Sequence, residues 1–113
     1  MNFKPELAAM VMDGSKTVTR RVMSANARSP WCALKCAYRA GQRVAICPGR
    51  GKANIGYATV TSVDRSRLGL VDDREARREG FTDRRAFREA WLAINGTWEP
   101  EAIVWRIGLR ASP

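Results

Sequence analysis

The sequence predicts an α+β protein, a small and mostly antiparallel β-barrel with short helices beside it. Three observations lead there. The 113 residues suit one domain with one core, because a chain of this size buries about two-thirds of its unfolded surface. Apolar periodicity changes along the chain in the order helix, strand, loop, strand, strand, helix, helix, strand. That order holds too few crossovers for a doubly wound sheet, which leaves four or five mainly antiparallel strands with helices inserted at the barrel mouth.

Each element has its own signal. In "FKPELAAMVMDG", Pro5 suits a first helical position, Leu7, Met10 and Val11 share one face, and Gly14 can end the helix. "KTVTRRV" is β-branched and enters a strand, with Val18 and Val22 on one face and Thr17, Thr19 and Arg21 on the other. The segment from Met23 to Ala40 has Ser, Asn and Pro punctuation and no sustained period, so a long loop with one helical turn is expected. "QRVAICP" and "ANIGYATVTSVDR" are strands around the turn "PGRGK". "DDREARREG" predicts a helix opened by Asp72 and Asp73 and stopped by Gly80. "TDRRAFREAWLAING" predicts another, capped by Thr82, with Phe87, Ala90, Trp91 and Ile94 aligned. "AIVWRIGLR" ends the chain as a half-buried strand, with Ile103, Trp105, Ile107 and Leu109 inward and Arg106 and Arg110 outward.

Composition narrows the chemistry. No run approaches the roughly 20 apolar residues of a membrane helix, and Lys4, Glu6 and Asp13 interrupt the segment where a signal peptide would be apolar. A soluble, cytoplasmic protein with no membrane contact is expected. The cysteines Cys32, Cys36 and Cys47 are odd in number and lack a fourth ligand or any histidine, so they are expected to be reduced apolar residues rather than a metal site. The chain has no histidine, which confines acid–base work to Lys, Thr, Glu, Asp, Tyr or Cys. No cofactor is implied.

Charge points to a polyanion. Residues 1–70 hold 12 Lys and Arg against 3 acids, whereas residues 71–113 hold 8 against 8, so the net +9 belongs to the first part. One basic surface facing RNA or a nucleotide follows from that split.

Several clusters sharpen the expectation. "CPGRGKANIG" lacks the spacing and the Ser or Thr of a phosphate-binding loop. It reads as a turn whose Arg50 and Lys52 remain free to touch phosphate. Trp91 and Trp105 fall on apolar faces, whereas Trp31 and Trp98 show no core pattern, and Trp31 in the long loop is the better base-stacking candidate. "GSKTVTRR" places Lys16, Thr17, Thr19, Arg20 and Arg21 where a helix stops and a strand starts. A threonine hydroxyl becomes nucleophilic when a base takes its proton, and a lysine serves as that base when burial or neighbouring cations depress its pKa. The proposal needs Lys16 in the turn, since in a strict strand Lys16 and Thr19 would face opposite ways. Glu79 is the acid that could complete the set, although on the residues alone a surface glutamate on a charged helix is the better explanation of it.

With these residues assembled, the chain resembles the ASCH domain, a branch of the PUA-like superfamily. "SKTVTRR" after Gly14 stands in the place of the family's Gly-x-Lys-Thr-x-Thr-x-Arg signature. "ELAAMVMDG", "GQRVAI", "YATVTSV", "EARREGF", "FREAWLAING" and "AIVWRIGL" extend the likeness along nearly the whole chain, residues 1–113 as one domain. The resemblance implies a small β-barrel with a cleft that binds RNA or a modified nucleoside. It also implies similarity to small bacterial enzymes that hydrolyse the amide of N4-acylcytidine with a lysine, a threonine and a glutamate. Those roles land on Lys16, Thr19 and Glu79, with Thr17, Arg20, Arg21 and Tyr57 holding the base or a phosphate. The loop of residues 23–40 is longer than in those enzymes and brings Trp31 and two cysteines. Three alternatives stay open at this level: a noncatalytic RNA-binding module, a ribonuclease, and an interaction protein that blocks a nucleic-acid-binding partner.

Overall fold

The order of elements expected from periodicity is the order observed. The structure is a computed structural model that describes residues 1–112. It contains α1 (Pro5–Asp13), β1 (Val18–Val22), β2 (Arg43–Ile46), β3 (Gly56–Arg67), a 3-10 turn (Leu68–Leu70), α2 (Asp73–Arg78), α3 (Arg84–Asn95) and β4 (Ile103–Ala111). Pro5 sits in the first turn of α1, and Gly14, left-handed at φ 87°, ends it. The cap of α3 falls one residue beyond Thr82, because the Asp83 carboxylate accepts the Ala86 N–H at 2.8 Å. Residues 23–42 form turns with one isolated bridge, Ser24 to Cys32, and the expected helical turn is absent among the described residues.

The four strands make an antiparallel sheet in the order β1-β4-β3-β2. The sheet is not closed into a barrel, since β1 and β2 remain its two edges. At the β2 edge the N-terminal residues take the pairing instead: Phe3 N–H donates to the Cys47 carbonyl and Cys47 N–H to the Met1 carbonyl, each at 3.0 Å. Side-chain alternation reports which face of a strand is buried and carries no information on which edges meet, so closure was beyond its reach.

The C-terminal strand β4 lies inside the sheet, between β1 and β3, and both of its faces are covered. Trp105, Ile107 and Leu109 join Val11, Ile46 and Val60 under α1. Val104, on the other face, packs with Leu68, Val71, Phe87 and Trp91 beneath α2 and α3. The simple alternation expected for this strand is therefore broken. Val104 and Gly108 are buried, Ile103 is 47% exposed, and Arg106 is half-buried rather than outward. Trp98 is also packed, edge-on to Phe87 at 6.2 Å.

Gly80 follows α2 at φ 98°, and a Cβ there would stand 3.2 Å from Leu7 and 3.3 Å from Met10. This backbone turns the chain from α2 towards α3 and places Glu79 beside α1. Gly80→Ala is expected to lower stability by about 1–2 kcal/mol, from the left-handed conformation and the close approach together. A urea-unfolding midpoint unchanged from the parent would contradict this.

Candidate functional site

Lys16 stands in the turn between α1 and β1, outside the strand ladder, with its N–H on the Met10 carbonyl at 3.0 Å. From there it reaches the end of α2. Its Nζ donates to the Val18 carbonyl at 2.8 Å, the Glu79 carbonyl at 2.7 Å and Glu79 Oε1 at 3.0 Å. An ammonium has three N–H donors, and all three are used. The Thr17 N–H adds a bond to the Arg78 carbonyl at 2.8 Å, so the turn carrying Lys16 caps carbonyls that a helix end leaves without partners.

The opposite oxygen of Glu79 accepts from Arg20 Nη1 at 3.0 Å. Lys16, Glu79 and Arg20 are 2%, 3% and 6% exposed, and Thr19 is 4% exposed. Burial lowers the Lys16 pKa below the ordinary lysine value, the Glu79 carboxylate opposes this, and the Arg21 and Arg20 cations add to the lowering.

Arg20 also ties this pair to a second carboxylate that composition did not single out. Its Nη2 bonds Glu75 Oε1 at 2.6 Å, and Glu75 also takes Arg106 Nε at 2.8 Å and Arg78 Nη1 at 3.3 Å. A signal existed: Glu75 and Glu79 are four apart in "EARRE" and so share a helix face. The Arg106 hydrogen bonds, with those of Arg20, hold the Glu75 carboxyl at about 2 instead of 4.5, against the opposing effect of burial. A carboxyl whose pKa is lower folded than unfolded stabilises the fold fully above the unfolded value and loses that contribution as pH falls through the folded one. The window here runs from about pH 4.5 down to about 2, and solvent screening of this partly exposed group keeps the amount to roughly 1–2 kcal/mol. Thermal melts across that window should show the parent losing its advantage over Glu75→Gln. Two curves that stay parallel would refute the assignment.

A cavity of about 480 Å³ opens beside this network. Lys16, Thr19, Arg20, Arg21, Arg50 and Glu79 all contribute to its lining. Its remaining wall is largely apolar, with Phe87, Ala90, Trp91 and Ile94 on α3 facing Phe3 and Pro5 of the N-terminal segment. The aligned α3 residues were expected only as core, and the cavity role of the N-terminal residues carried no sequence signal.

Other expected contacts lie elsewhere. Thr17 is exposed and outside the lining. Trp31 packs on Tyr38 at 5.0 Å and its carbonyl accepts Trp105 Nε1 at 3.1 Å, so it supports the core instead of lining the cavity. Lys52 and Tyr57 are exposed beyond the cavity. Arg20 is committed to two carboxylates. Arg21 stacks on Phe3 at 4.9 Å and Trp31 at 5.2 Å while Nη2 donates to the Asn2 carbonyl at 2.7 Å, bracing the N-terminal wall. Cys32, Cys36 and Cys47 are free thiols, the first buried.

Solved structures place this architecture. An ASCH domain from Lactobacillus crispatus superposes with a TM-score of 0.76 at 12% identity, over 94% of this chain and 70% of that one. The chain adopts the ASCH fold. A variant of the ASCH protein of Zymomonas mobilis matches this ASCH fold at a TM-score of 0.61 and 25% identity, over 97% of this chain and 65% of that one. A protein of Enterococcus faecalis follows at 0.64 and 19%, over 94% of this chain and 69% of that one. The chain therefore spans about two-thirds of the length of these proteins. No family model and no curated protein matches it. No helix among the described residues is long and apolar enough to cross a membrane.

Proposed function

We propose that the cavity binds a nucleobase, in RNA or in a modified nucleoside, and that Lys16, Thr19 and Glu79 hydrolyse the amide of an N4-acylcytidine held there. The observation that carries this reading is the buried Lys16, Glu79 and Arg20 network, which lines the same apolar-walled cavity as Thr19. Cavities of roughly 300–1,000 Å³ with apolar walls and a few convergent polar groups are where small planar ligands bind. Titratable groups forced together out of water are where acid–base chemistry concentrates.

The resting geometry supports one order of proton transfers for this reading. Lys16 is an ammonium with every donor engaged, so it must first pass a proton to the Glu79 carboxylate 3.0 Å away. Its lowered pKa favours that transfer. The neutral amine then takes the Thr19 hydroxyl proton as the oxygen attacks the acyl carbonyl. When the carbon–nitrogen bond breaks, the protonated Glu79 delivers its proton to the leaving N4 amine, and water later releases the acyl group from Thr19. Arg20 holds Glu79 in place throughout.

The test is incubation of the purified protein with N4-acetylcytidine, with cytidine followed by chromatography. Turnover supports the hydrolytic reading, and its absence removes it. A noncatalytic nucleobase site is favoured by one observation, the complete engagement of the Lys16 donors away from Thr19. Saturable binding of N4-acetylcytidine without turnover would decide for it.

A further inference from the structure

The β2–β3 turn offered Arg50 and Lys52 as phosphate contacts and the family resemblance offered Tyr57, yet of the three only Arg50 reaches the cavity. The other two continue outward from it. Arg50 and Lys52 belong to the turn between β2 and β3, and that turn leads straight into Tyr57 at the start of β3. Tyr57 is 37% exposed, on the sheet face opposite the buried Ala58. The Arg43 guanidinium of β2 lies over its ring at 3.9 Å.

The neighbouring register extends the pattern across three strands. Arg43 stands opposite Thr59, and Thr59 stands opposite Arg110 of β4. Residues directly opposite one another share a face, so the two arginines flank Thr59 at about 10 Å, twice the strand spacing. No carboxylate enters this row. Among the described residues, Arg43, Arg50, Lys52 and Arg110 form no ion pair, whereas Lys16, Arg20 and Arg106 are each paired with Glu75 or Glu79. Three cations of the first part of the chain, Arg43, Arg50 and Lys52, thus stand without a carboxylate partner on the β2–β3 turn and this outer face, beside Arg110.

The geometry points to a track for single-stranded RNA that leaves the cavity at Arg50, crosses the turn at Lys52 and runs over the sheet face at Arg43, Tyr57 and Arg110. The arginines meet successive phosphates. A splayed base stacks on the Arg43 guanidinium, which Tyr57 supports from beneath. Duplex RNA is disfavoured because its bases are not free to stack there. The inference rests on the proposed nucleobase cavity only for where the strand begins. It makes the substrate a nucleotide within RNA and not only a free nucleoside.

The experiment uses a fluorescein-labelled 12-nucleotide single-stranded RNA, read by anisotropy between 50 and 300 mM salt, beside N4-acetylcytidine binding by calorimetry. The variants are Arg43→Gln/Arg110→Gln and Tyr57→Ala, with Tyr57→Phe as a stacking-competent control. The double variant is expected to weaken RNA binding at least about tenfold and to make the salt slope shallower by about 1.4, near 0.7 for each phosphate contact on a single strand. Tyr57→Ala should weaken it about fivefold or more, and Tyr57→Phe should restore it. Nucleoside binding should not change in any of them. RNA affinity and salt slope equal to the parent's in the double variant would overturn the track. So would binding to vesicles of anionic lipid that the double variant abolishes, if RNA binding were absent. Failure of the parent to bind N4-acetylcytidine would remove the cavity reading and leave the RNA arm to decide the sheet face.

Discussion

Glu79→Ala is expected to destabilise the protein by about 3–5 kcal/mol, because it leaves the buried Lys16 ammonium without its counter-charge and takes one of two carboxylates from Arg20. For a chain of this length that corresponds to a fall of roughly 12–20 °C in the melting midpoint. The loss arises from stranded charge and not from missing contacts. The double variant Lys16→Met/Glu79→Leu should therefore recover the share due to Lys16, since apolar groups of similar volume replace a buried ion pair at little or no cost, while Arg20 Nη1 stays without its partner. Differential scanning calorimetry of the three proteins checks both parts. If Glu79→Ala lost less than about 1 kcal/mol, the network would not be holding the junction of α1, β1 and α2 together.

Thr19→Val is expected to do the reverse, removing turnover while sparing the fold. The side chain is 4% exposed, and Val keeps its branched shape. The stability change should stay within about 1 kcal/mol, the hydroxyl being the one group lost. Under the proposed mechanism the rate of N4-acetylcytidine hydrolysis should fall at least about a thousandfold, because no other group can form the acyl intermediate. Binding should be nearly unchanged, so kcat falls and the dissociation constant does not. Turnover in Thr19→Val at the parent's rate would eliminate Thr19 as the nucleophile. The contrast between this variant and Glu79→Ala separates chemistry from architecture at one site.

Much of this was legible in the linear chain, for identifiable reasons. The helices announced themselves through Pro5, Gly14, Asp72 and Gly80, which act within a turn of where they stand. The strands did so through β-branched runs. Lys16, Thr19 and Glu79 emerged as a set because few residue types could do acid–base work in a chain without histidine, and because the "GSKTVTRR" stretch resembles a family signature. Lys16 was required to sit in the turn, and it does.

Trp31, Trp98 and Arg106 were misplaced for a common reason. Their surroundings come from segments far away in sequence, such as Trp105 beneath Trp31, Phe87 beside Trp98 and Glu75 across from Arg106. The uneven charge was also only half informative. Two cations of the first part, Lys16 and Arg20, are buried against Glu75 and Glu79 of the second, so they do not belong to the basic surface, part of which lies on the β2–β3 side.

Periodicity, capping residues and composition are local properties, and they specified the elements, their order and the chemical types available to a site. The partners of Glu79 lie 63 and 59 residues away from it. The central place of β4, the open sheet, the cavity between α3 and the N-terminal segment, and the burial that lowers the Lys16 pKa depend on which distant surfaces meet. Those meetings are settled by packing two cores on opposite faces of one sheet, a three-dimensional constraint that no window along the chain contains.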